Sequence, residues 1–236
     1  MKLSSCIWAL TGPEEQNLNS MADLGYQWID VQPHMLATEE ARSRALHLGL
    51  SVSSMAASFG LAEGEQLDSA DESERQSALA RFEEILSHGS ALGASVVYLV
   101  PGQDDSRAAL TRYATSLSTV ADRAVAWDQT VCIEHFPGTA LPTAAATLDF
   151  IKGIGHPNLY LLLDSGHLQM SQEDAAHVIA TAGSRLGYVH LDDNDGKDDL
   201  HWSLLDGVLT EDGLARLFSA LVGIGYDGAV SLELHP

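Results

Sequence analysis

Positive charge is scarce in this chain. Its 236 residues hold 12 Lys and Arg against 33 Asp and Glu, a formal net charge of −21, and only Lys2, Lys152 and Lys197 are lysines. Nucleic acids are bound largely through cationic contacts to phosphate, so a field of this sign argues against them as partners. So acidic a protein resembles chains from a high-salt cytoplasm, where screening relieves self-repulsion, although a surplus of solubilising charge is the simpler account. Cysteine is nearly absent as well. Cys6 and Cys132 both fall inside strand-like runs, which excludes a disulfide framework and suits buried thiols in a reducing compartment. No apolar run approaches the roughly 18 residues that would span a bilayer, and the first eight residues lack the apolar core of a signal peptide. The expectation is a cytoplasmic protein with no membrane partner.

What is present is a chain with 45% hydrophobic residues, enough for one large core. Strand and helix signals alternate throughout. Strand-like runs occupy residues 3–8, 27–32, 50–56, 95–100, 130–136, 159–165, 186–191 and 228–234. Helical periodicity lies between them, clearest where Leu110, Ala114, Leu117, Ala121 and Ala124 share one face. Thr38, Ser171 and Thr210 precede acidic residues and read as helix N-caps. Leu24-Gly25-Tyr26, Leu48-Gly49-Leu50, Leu92-Gly93-Ala94 and Ile224-Gly225-Tyr226 each place Gly between a helical pattern and a strand, where a left-handed residue ends a helix. Eight strands with helical crossovers predict a mixed α/β chain, a (β/α)8 TIM barrel over residues 1–236 as one domain. The sequence stops just after the eighth run, so the final C-terminal helix is missing. A neighbouring copy in a homo-oligomer, a shifted first helix or truncation of the chain would each account for the uncovered outer face.

Four of the runs end in an acid or an imidazole. They are Val131-Cys132-Ile133-Glu134, Leu161-Leu162-Leu163-Asp164, Tyr188-Val189-His190 and Ser231-Leu232-Glu233. An ionised group at the end of a buried strand is costly unless something pairs it, and one cation could pair all four. Acids that merely cap their strands in solvent are the alternative. Three carboxylates with one imidazole form a hard, anionic donor set suited to Mn²⁺, Mg²⁺ or Co²⁺ more than to a structural Zn²⁺. Barrel chemistry gathers at the C-terminal ends of the strands, the ends that carry these residues.

Together with Asp164-Ser165-Gly166-His167 and Asp199-Leu200-His201, these motifs resemble the xylose isomerase-like barrel superfamily across all eight strands. That superfamily includes sugar and sugar-phosphate isomerases and epimerases, inosose dehydratases and endonuclease IV. The resemblance implies that Glu134, Asp164, His190 and Glu233 bind one divalent metal, and that His167 contacts substrate oxygens. It implies further that Glu134 and Glu233 are the catalytic pair, one removing and one returning a proton beside a carbonyl, through a metal-stabilised enediolate. A dehydratase on the same metal, or a non-catalytic metal- or sugar-binding barrel, are the alternatives.

The nuclease branch carries further imidazoles at the third and fourth strand exits. This chain has Met55-Ala56-Ala57-Ser58-Phe59 and Val100-Pro101-Gly102 there, which argues against a three-metal nuclease. Asp199 and His201 are candidate substrate contacts, or ligands of a second metal, with solvent exposure as the alternative. Trp8 and Phe59 could line a sugar pocket or pack at its rim. His135 stands where this family usually has Asn. Residues 58–70 form a long connection that could close over substrate or simply be mobile. No basic phosphate clamp is recognisable, which favours an unphosphorylated sugar or polyol as substrate.

Overall fold

Alternating apolar and small residues form eight parallel strands that close on themselves in chain order, β1 pairing β8. In the computed structural model, which describes residues 1–235, the strands are β1 (Lys2–Cys6), β2 (Trp28–Val31), β3 (Ser51–Ala56), β4 (Val96–Leu99), β5 (Thr130–Glu134), β6 (Leu159–Asp164), β7 (Leu186–Leu191) and β8 (Ala229–Leu232). All eight predicted runs are strands, most of them a residue or two shorter than expected. The helices are α1 (Glu14–Asp23), α2 (Glu39–His47), α3 (Glu72–Ala91), α4 (Arg107–Ala126), α5 (Ala144–Ile154), α6 (Ser165–Ser171), α7 (Ala175–Ala182) and α8 (Glu211–Gly223). The result is a (β/α)8 barrel. No described helix is long and apolar enough to cross a membrane.

Local chemistry explains the element ends. Gly25, Gly49, Gly93 and Gly225 all have φ between 70° and 91°, a region open to Gly without strain, so each helix reverses into its strand within two residues. Thr38 and Thr210 accept from the backbone N–H groups of Ala41 and Gly213, as their sequence context predicts. Ser171 does not cap α7. It is the last residue of α6, and Asp174 is the cap, accepting from His177 N–H at 2.9 Å. The buried face of α4 centres on Tyr113, Leu117, Val120, Ala121 and Ala124, with Leu110 and Ala114 at its margin. Cys6 and Cys132 are buried free thiols.

Between strands and helices lies the large apolar core, from Ile29, Val31 and Leu99 to Leu161, Leu163 and Val189. Inside the barrel a smaller cluster contains Ala56, Tyr98, Cys132, Leu162 and Tyr188. Above that plug, toward the C-terminal strand ends, the interior becomes polar. On the outer face of β1 and β8, where a helix after β8 would pack, Leu3 is 60% exposed.

Candidate metal centre

Glu134 is the last residue of β5, Asp164 the last of β6, His190 lies in β7 and Glu233 follows β8. Ligand atoms of these four side chains come within 4.8 Å of one another. Glu134 is 4% exposed, and Asp164 and His190 are fully buried. His190 Nδ1 lies 2.6 Å from Glu233 Oε2 and 3.8 Å from Glu134 Oε1. On the side toward the glutamates, His190 Nδ1 has no partner with hydrogen-bond alignment, and Asp164 Oδ2 is buried with no partner. Close donor atoms that face a common point without bonding one another suit a shared cation better than a proton. The donor set therefore fits a hard divalent ion by chemistry and by what it leaves unsatisfied.

The Asp-Ser-Gly-His element is built by one turn of backbone. Asp164 caps α6 by accepting from His167 N–H through Oδ1 at 2.7 Å, which leaves Oδ2 free for the centre. Ser165 Oγ donates to the Asp192 carbonyl and accepts its N–H, tying β6 to β7. Gly166 N–H donates to Asp192 Oδ1 at 2.7 Å, and a Cβ at Gly166 would stand 2.4 Å from Asp192 Oδ2. Only Gly permits that approach. His167 is thereby turned into the mouth, stacked on Phe136 with centroids 4.3 Å apart. Its Nδ1 lies 3.5 Å from Asp164 and 3.7 Å from Glu134, and its Nε2 lies 3.3 Å from Asp199.

Asp199 and His201 are not solvent-facing loop residues. Asp199 Oδ2 lies 3.1 Å from His201 Nε2, and His201 Nδ1 is 3.4 Å from Asp192 Oδ2, forming a second carboxylate–imidazole group beside the first. A bridge between Asp193 and Trp202 folds the loop before α8 back over the mouth. Trp8, in the turn after β1, donates from Nε1 to Glu233 Oε1 at 3.1 Å, and its ring lies 6.4 Å from that of Phe59. The connection at residues 58–70 is tied down, with Leu67 and Asp68 carbonyls accepting from Ser116 and Arg112 of α4.

Charge is unevenly distributed among these groups. Burial raises the Glu134 carboxyl pKa, and the Glu233 charge adds to this against the pull of nearby imidazoles. Burial also opposes ionisation of Glu233, yet His190, His201 and His167 outweigh it and lower that pKa. Burial opposes protonation of His167, but Asp164, Asp199 and Glu134 prevail and raise its pKa to about 10. Asp192 is pushed up to about 8 by burial and by the charge of Asp164. His135, buried beside His167 and with Nε2 3.3 Å from Asp164 N, is pushed well below the usual imidazole value, burial being the main cause.

Sequence reasoning missed Asp30, Phe136 and Asp192. Asp30 was readable as a lone acid inside an apolar strand. Asp192 was hidden in an acidic run, and nothing marked Phe136.

Fold and site together define a (β/α)8 barrel with three carboxylates and an imidazole gathered at its C-terminal mouth. The chain belongs to the xylose isomerase-like TIM barrel family, whose model matches residues 18–236. It is 28% identical over 251 residues to the L-ribulose 3-epimerase of Mesorhizobium japonicum, spanning 98% of this chain and 80% of the relative. It is also 28% identical over 242 residues to the D-psicose 3-epimerase of Agrobacterium fabrum, spanning 92% of this chain and 77% of the relative. The fold matches a D-psicose 3-epimerase of Clostridium cellulolyticum H10 solved with D-tagatose, at a TM-score of 0.84 and 22% identity over 100% of this chain and 85% of that one.

Proposed function

We propose that this chain is a metal-dependent epimerase of unphosphorylated keto-sugars, inverting a carbon beside the carbonyl. The observation that carries the reading is the convergence of Glu134, Asp164, His190 and Glu233 on one point at the barrel mouth. The curated relatives named as ketose 3-epimerases support the substrate class.

Glu134, Asp164, His190 and Glu233 would hold a divalent ion, Mn, Mg, Co or Zn. When bound, that ion would supply Lewis-acid polarisation of the substrate carbonyl, acidifying the C–H of the adjacent hydroxyl-bearing carbon. The two glutamates come from the end of β5 and from just after β8, so a carbon held between them would have one carboxylate toward each face. One takes the proton and the other delivers one to the opposite face, which inverts the centre. His167, braced by Phe136 and Asp199, is placed to donate a ring N–H to a substrate oxygen. Trp8 and Phe59 supply an apolar wall for the rest of the sugar. Arg185 is engaged with the carbonyls of His156, Pro157 and Leu159, and Arg216 with Asp174, so neither serves the mouth as a phosphate clamp.

The test is turnover of D-tagatose, D-fructose and D-psicose by Mn²⁺-loaded protein in D₂O. One solvent deuterium at C3, with no other mass change, is expected. Glu134→Gln and Glu233→Gln, assayed at Mn²⁺ concentrations high enough to keep the weakened site filled, should each lower the rate by about 10²–10⁴. A product lighter by one water indicates a dehydratase instead, and binding without deuterium uptake indicates a catalytically silent barrel.

A further inference from the structure

Beneath the mouth, one carboxylate crosses the barrel interior. Asp30 belongs to β2, fully buried, at the point where the β2–β3 register shifts between Ile29 and Asp30. Such a bulge re-aims the side chain that follows it. Asp30 Oδ1 accepts from Tyr188 and Ser53 hydroxyls, each at 2.5 Å, and Ser4 Oγ lies 3.1 Å from the same oxygen. Oδ2 lies 3.3 Å from His190 Nε2, an ion-pair distance without hydrogen-bond alignment, and the Cys6 thiol is 3.7 Å away.

We infer that Asp30 is a positioning residue for the metal centre, holding the His190 ring through Nε2 so that Nδ1 faces Glu134 and Glu233. The inference rests on the metal reading above. Three hydroxyls converge on one oxygen of Asp30 and leave the other to the imidazole and the Cys6 thiol, so the carboxylate is itself held in place before it holds His190. Tyr98 and Tyr188 meet the His190 ring at right angles, with centroids 5.1 and 5.5 Å away, and restrict its rotation. An imidazole that ligates through one nitrogen needs the other kept as N–H, and a carboxylate on that side selects the tautomer. Asp30 is fully buried beneath the mouth. Its action is entirely through His190.

The experiment is Mn²⁺ titration of metal-free wild type, Asp30→Asn and Tyr188→Phe, with nitrogen-15 NMR of the His190 ring in a diamagnetic Mg²⁺ complex. Wild type should show the Nε2–H tautomer. Asp30→Asn should bind Mn²⁺ about 10–100-fold more weakly, and Tyr188→Phe, which loosens Asp30 without removing it, about 10-fold more weakly. A change in His190 tautomer in Asp30→Asn, which a merely structural role would not produce, supports the inference. If wild type binds no Mn²⁺, the metal centre itself falls, and this role with it. If wild type binds but the folded Asp30→Asn protein keeps its affinity and tautomer, the inference alone is overturned. Should Asp30→Asn not fold, unchanged affinity in Tyr188→Phe overturns it.

Discussion

Asp164 and Asp193 are both fully buried acids beside the barrel mouth, yet their surroundings are opposite. Asp193 has both oxygens engaged by backbone, with Oδ1 accepting from Asn194 and Leu209 N–H groups and Oδ2 from Gly207. Asp164 uses Oδ1 for a helix cap and leaves Oδ2 buried and bare. One acid is consumed by holding a loop in shape; the other is held in shape by its helix and kept available. Burial alone thus does not distinguish the two; unsatisfied capacity does.

That contrast can be broken most directly at Asp164. Asp164→Asn is expected to lower Mn²⁺ affinity by about 10²-fold or more, since loss of even an outer partner of a ligand costs about 10–100-fold. The metal-free protein should change little in stability, because the substitution relieves repulsion with Asp192 and removes an attraction to His167 together. Urea unfolding and calorimetric titration read the two effects separately. Wild type should gain about 2.7 kcal/mol of stability at Mn²⁺ one hundred times its Kd, and Asp164→Asn far less at the same concentration.

Asp193→Ala should reverse the pattern, with about 1–3 kcal/mol of stability lost from stranded backbone donors and metal affinity of the folded protein retained. A loss of affinity matching that of Asp164→Asn would erase the distinction. Gly166→Ala sits between the two. The added Cβ must displace Asp192, at a cost of about 1–3 kcal/mol, and through His167 it should also lower turnover. The smallest effect belongs far from the mouth, where Thr38→Ala should cost about 1 kcal/mol through loss of the α2 cap, with unchanged kcat.

The strands and the four convergent residues were legible for the same reason. Each is written within a run of four to six residues, an apolar stretch with its terminal acid or imidazole, so local pattern suffices. The α7 cap was misassigned to Ser171 because the intervening turn, with Gln172 at φ 58°, leaves Asp174 as the residue beside the helix start. Asp199 and His201 looked equally suited to solvent, since a polar loop has no period that shows which way it folds. The Asp193–Trp202 bridge turns that loop inward.

By itself, the sequence determined the alternation of strand and helix, the closing of eight strands into a barrel, and the acids and imidazole at its mouth, because periodicity and turn chemistry act over a few residues. Only the tertiary structure decided that Asp30, 160 positions before His190, meets it across the barrel interior, and that Phe136 and Asp199 brace His167. Those partners are chosen by strand register and a bulge, which bring together side chains that no spacing along the chain relates.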